Sequence, residues 1–97
     1  MEKTVLMIAT LDTKEEEAFF LKRCIESRGI RVLVMDTGIL SPPKQTVDIC
    51  QEEVATRGGM PLKEAVATGD KRECTENMCR GTECIARELY DEGRIQG

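Results

Sequence analysis

Lys3-Thr4-Val5-Leu6-Met7-Ile8-Ala9-Thr10 and Arg31-Val32-Leu33-Val34-Met35-Asp36 carry continuous apolar runs, with no alternation of polar residues inside them. Such runs suit strands covered on both faces. The segment between them reads as an amphipathic helix. Thr13 and Glu16 fit a capping box, in which the hydroxyl accepts from a free amide and the glutamate reaches back to the cap. Glu15, Glu16 and Glu17 then sit in the first turn, where the macrodipole favours negative charge. Ala18, Leu21, Cys24 and Ile25 form its apolar stripe, with Phe20 at the margin. Phe19 lies roughly 160° from Leu21 around the axis and is predicted to point away from the sheet. Gly29 stops the helix. Strand, helix and strand make a βαβ unit, so the strands are predicted parallel with a right-handed crossover.

Working outward, Thr37 to Pro43 is a loop stiffened by Pro42 and Pro43. Asp48 is placed to cap a short helix over 49–57, and Gly58-Gly59 ends it. Pro61 suits the start of another short helix over 62–67. Gly69 breaks the chain again. Residues 70–92 read as one long helix capped by Asp70, with Gly81 its weakest interior position. Its inner stripe is Met78, Thr82, Ile85, Ala86 and Leu89, with Cys74 and Tyr90 at the edges and Cys84 outside. Tyr90 is expected to pack against the sheet. Gly93 terminates the helix.

This reading has only two strands, a narrow sheet for strands so apolar. The chain stops just after a helix, where a βαβ pattern starts its next strand. The expectation is therefore a partial Rossmann-like domain over 1–97, belonging to a larger three-layer αβα domain, or else a chain completed by self-association.

The whole chain is 97 residues, which fits a single small domain. Hydrophobic residues are 40% and charged residues 33%, a balance that excludes both a disordered tail and a membrane span. The net charge is −4, and the only aromatics are Phe19, Phe20 and Tyr90. Basic residues are scattered among acidic ones, so nothing resembles a nucleic-acid face. No polybasic anchor or signal-peptide core is present, and the cytoplasm is the expected location. The five cysteines include no Cys-x-x-Cys pair, and there is no histidine. Cys74, Cys79 and Cys84 are five residues apart, which scatters them around a helix. They are expected to be reduced and metal-free.

The loops after the two strands are the natural ligand edge of an open α/β sheet. Thr10, Asp12, Thr13 and Lys14 follow the first run; Asp36, Thr37 and Gly38 follow the second. Threonine hydroxyls and Lys14 suit phosphate oxygens, and Asp36 suits ribose hydroxyls. Against this, the glutamates of the first turn occupy the helix end that a phosphate wants. The Thr-Leu-Asp-Thr-Lys segment also lacks the glycines of a P-loop. Capping and a ligand contact both remain open readings for these residues, as they do for Asp70. No nucleophile–base pair supports a reaction.

Ala9-Thr10-Leu11-Asp12-Thr13-Lys14 resembles the start of the UPF0261 family, the Tm-1-like ATP-binding proteins. The likeness continues through Val34 to Gly38, Ser41-Pro42-Pro43, Glu52-Glu53-Val54, Gly69-Asp70 and Leu89 to Ile95 in colinear order. Glu15 and Phe19 depart from the family pattern, which commonly has glycine and a small residue there. The resemblance implies a Rossmann-like N-terminal domain with ATP at the C-terminal edge of its strands, usually followed by a TIM-barrel-like domain. The implied nucleotide contacts are Thr10, Asp12, Thr13, Lys14, Asp36, Gly38 and Asp70. The competing expectation is an interaction module that forms homo-oligomers and has no ligand of its own.

Overall fold

The computed structural model describes residues 2–97. The elements run β1 (Thr4–Ala9), α1 (Leu11–Glu26), β2 (Arg31–Asp36), α2 (Gln51–Gly58), α3 (Leu62–Ala67) and α4 (Lys71–Asp91). β1 and β2 pair in parallel, Thr4 opposite Arg31 and Ala9 opposite Asp36. A parallel pair needs a long crossover, and α1 supplies it. The fold is therefore α/β with a parallel βαβ core, as the two apolar runs predict.

Alternation along the strands divides their side chains between two cores. Val32 and Val34, with Val5 and Met7, meet Leu11, Ala18 and Phe19 of α1. Leu33 and Met35, with Leu6, meet Val54 and Ala55 of α2 and Ile85 and Leu89 of α4. Helices thus cover both faces, which is why the runs are uninterrupted. Val34 is 1% and Met35 0% exposed. Burying a side chain of this size contributes about 2 kcal/mol.

The two sheet edges differ. The outer edge of β2 is closed by a short parallel bridge from Met35 to Ile49. Asp48 Oδ2 accepts from Val34 N at 2.7 Å there. Asp48 therefore does not cap a helix; α2 starts at Gln51 after an uncapped Cys50. An apolar Ile49 beside an open strand edge gains more from pairing than from a helical turn. On the outer edge of β1, Gln96 N donates to Thr4 O at 2.9 Å and Leu6 N donates to Gly97 O at 2.8 Å.

α2 crosses α4 on glycine. A Cβ at Gly81 would stand 1.8 Å from Val54 O, and one at Gly58 would stand 2.1 Å from Asn77 O. Buried Asn77 ties the crossing further, its Nδ2 donating to Ala55 O at 3.2 Å and Met60 O at 2.8 Å. Gly81 is weak for a helix but required by this contact.

The inner face of α1 departs from the expected stripe. Phe19 is 6% exposed and belongs to the core, whereas Phe20 and Leu21 are 62% and 52% exposed. The helix also begins at Leu11 with no side-chain cap and kinks at Lys14, where φ is −127° and ψ 23°. Thr13 is therefore not a capping-box residue; its Oγ1 donates to Thr10 O at 3.4 Å. Tyr90, at 65% exposure, lies outside the core that Leu89 enters.

Candidate functional site

The C-terminal ends of β1 and β2 open onto two adjoining clefts. One, of about 550 Å³, lies between the β1–α1 junction, the loop after β2 and α4; Ile8, Thr10, Ile39, Met78 and Thr82 are among its walls. The other, of about 640 Å³, lies between the same loops, α3 and the start of α4; Thr13, Val66, Asp70 and Lys71 help to line it. Thr10, Asp12 and Ile39 border both. The strand-edge rule puts a ligand at this end of a parallel sheet.

Most of the residues that the sequence singles out meet here. Thr10, Asp12 and Gly38 line the first cleft, and Thr10, Asp12, Thr13 and Asp70 the second. Lys14 is apart from both, exposed and 3.8 Å from Glu17. The kink at Lys14 breaks the regular helical path there. Asp36 is fully buried beneath the loops. Its Oδ1 accepts from Leu11 N at 3.1 Å and Gly38 N at 2.8 Å. Asp36 Oδ2 is buried without a hydrogen-bond partner. This carboxylate holds the ends of two loops together, below the surface that a ligand would touch.

The loop after β2 is held by acids throughout. Asp12 Oδ2 accepts from Ile39 N and Leu40 N, both at 3.3 Å. Glu15 accepts from Lys44 N at 2.9 Å and from Gln45 N at 2.9 Å. Together with Gly38 N on Asp36, five loop amides point at carboxylates of the protein itself. A phosphate would seek the same donors. Gly38 is needed for this closure, because a Cβ there would lie 2.8 Å from Asp12 Cγ and 3.0 Å from Gln51 Nε2.

Asp70 caps α4, Oδ1 accepting from Arg72 N at 3.0 Å and Glu73 N at 3.2 Å. It does this while lining a cleft, so its two readings coexist. α4 contributes more than the sequence suggested: Thr75, Met78, Cys79 and Glu83 face the first cleft beside Thr82. Their spacing of three and four residues was the available signal. Lys71 is the single basic residue on either wall.

The cysteines are free, Cys74 buried and the other four exposed. Among the described residues, no group of three His, Cys, Asp or Glu side chains is arranged to hold a metal ion. Arg57 donates to Cys84 Sγ at 3.1 Å and to Glu88. The bond to Glu88, then that to Cys84, raises the guanidinium above its ordinary value. Among the described residues, no helix is long and apolar enough to cross a membrane.

Residues 3–97 match the family described as uncharacterised protein family (UPF0261) N-terminal domain. A UPF0261 protein of Clostridium tetani is 34% identical over 97 residues, covering 100% of this chain and 24% of that protein. UPF0261 proteins of Brucella suis and Brucella melitensis are 28% and 27% identical over 93 residues, each covering 96% of this chain and 22% of theirs. The chain therefore spans about a quarter of the length of these curated relatives. No solved structure gives a significant match.

Proposed function

The chain belongs to the UPF0261 family, matching its N-terminal domain, and from that premise we propose that it forms part of a nucleotide-binding domain with ATP at the C-terminal strand edge. The ligand class rests on the resemblance to the Tm-1-like ATP-binding proteins. The observation that carries the site is the meeting of Thr10, Asp12, Thr13, Gly38 and Asp70 around two adjoining clefts.

The walls fit the two ends of a nucleotide unequally. The first cleft has apolar Ile8, Ile39 and Met78, threonine hydroxyls and two acids, with no basic side chain. That chemistry takes a base and a sugar, by apolar contact and hydrogen bonds to hydroxyls. The second cleft has Lys71 beside Asp70, Thr10 and Thr13. It suits phosphates whose charge is shared by a divalent cation, since the loop amides are already occupied. Asp36 acts indirectly, by fixing both loops. Lys14 lines neither cleft and pairs with Glu17, so it stands outside the proposed contact set.

Calorimetry of magnesium-ATP with this chain and with the full-length Clostridium relative tests the reading. The 97-residue chain should bind at about millimolar, worth about 4 kcal/mol. The longer protein should bind far more tightly. A Thr10→Val/Lys71→Ala variant should weaken binding at least tenfold. Absence of binding to the longer protein, or a variant that binds like its parent, overturns the proposal.

A second reading, an assembly module without a ligand, draws on the neighbouring exposed Phe20 and Leu21 of α1. Phe19, predicted to point away from the sheet, is buried and adds nothing to that patch. Sedimentation over a range of concentrations tests it: a monomer throughout rejects it.

A further inference from the structure

A separate crevice shares no lining residue with the two clefts. It opens toward the start of β2, between the Ile49 bridge, α2 and the end of α4, and holds about 270 Å³. That is below the roughly 300–1,000 Å³ usual for drug-sized ligands, so its occupant is small. Its floor is Leu33, Ile49, Ile85 and Leu89, all buried in the core. Its rim is charged, with Arg31, Asp48, Glu53, Arg57, Glu88 and Arg94.

Half of the rim is already committed. Asp48 Oδ2 accepts from Val34 N at 2.7 Å, and Arg57 donates to Glu88. The other half is not. Among the described residues, Arg31 and Glu53 form no ion pair, although both line this small space. Arg94 has a loose pair at 3.9 Å with Glu92, which lies outside the crevice. Two guanidinium groups and one carboxylate thus border one crevice without closing on each other.

These charges describe a ligand. A guanidinium fork matches a carboxylate, donating two parallel hydrogen bonds to it. An anion alone would place a like charge beside Glu53, which the Coulomb interaction opposes. A molecule with an ammonium next to its carboxylate satisfies both signs. We infer that the crevice is a binding site for a free α-amino acid, its carboxylate on Arg31 and Arg94 and its ammonium on Glu53. The buried floor offers little apolar surface, so the charged groups carry recognition and a short side chain fits best.

Titration of the isotope-labelled 97-residue chain with L-alanine, followed by amide NMR shifts, tests this. Saturable shifts are expected at Arg31, Glu53 and Arg94, and none at Thr10 or Asp70. Acetate, which has the carboxylate alone, should bind at least tenfold more weakly. Arg31→Gln should weaken both probes. Glu53→Gln should weaken L-alanine at least tenfold and leave acetate no weaker, because it removes the partner of the ammonium. Both side chains are exposed and unpaired, so the variants should keep the parent's melting temperature. Absence of saturable shifts overturns the inference. So does acetate binding as tightly as L-alanine, which would mark a plain anion site, or a Glu53→Gln variant that binds L-alanine like its parent. No nucleotide is present, so failure here leaves the ATP proposal standing.

Discussion

Gly81 of α4 stands so close to the carbonyl of Val54 in α2 that a Cβ would lie 1.8 Å from that oxygen. Gly81→Ala should therefore destabilise the fold by about 3 kcal/mol, since overpacking against backbone cannot be relieved by a rotamer change. This opposes the gain of about 1 kcal/mol expected from helix propensity. Urea unfolding of both proteins gives the sign, and a more stable alanine variant would refute the crossing.

Asp36 joins the two loops through Leu11 N and Gly38 N. Asp36→Ala leaves two buried donors without an acceptor and should cost about 2–5 kcal/mol. Asp36→Asn keeps one oxygen for those donors and should cost clearly less. Thermal melts of the three proteins check the ranking.

Phe19 and Phe20 are neighbours with opposite surroundings. Phe19→Ala should cost about 3–5 kcal/mol, as for a buried aromatic. Phe20→Ala should stay within about 0.5 kcal/mol. Equal losses in denaturant titrations would show that the helix is rotated from the position described.

These two phenylalanines also show where the sequence could be read and where it could not. β1, β2, α3 and α4 followed from continuous apolar runs and glycine stops, signals that depend on neighbours along the chain. The inner face of α1 did not. Its half-buried side includes Glu15 and Lys22 beside Leu11, Ala18 and Ile25. Glu15 is inward because it holds the loop amides of Lys44 and Gln45; Lys22 lays its stem along the face and pairs with Glu26 at 3.4 Å. Two charged residues on the inner stripe and two apolar ones outside it reverse the usual periodicity. At the candidate site, the strand-edge rule located the loops. It could not show that Asp12, Asp36 and Glu15 accept from these amides, because every partner but Gly38 N is 25 or more residues away.

Asp70 offers a separable test of its two roles. Asp70→Ala should lower stability by about 1 kcal/mol through loss of the α4 cap, and Asp70→Asn should be nearly neutral. If the asparagine variant keeps its stability while ATP affinity falls in the full-length setting, the carboxylate charge serves the ligand. Unchanged affinity assigns Asp70 to capping alone.

The carboxylate clamps on the loop after β2 also decide which walls of the site are held in place. Asp12 and Glu15 tie that loop to α1 through the amides of Ile39, Leu40, Lys44 and Gln45. α3 is different. It is a short segment between Gly59 and Gly69, which take φ +110° and +69°, conformations that side chains resist and glycine adopts freely. The wall of the second cleft that α3 supplies is thus bounded at both ends by backbone only glycine adopts easily, so alanine at Gly59 or Gly69 would strain that wall while leaving the clamped floor untouched.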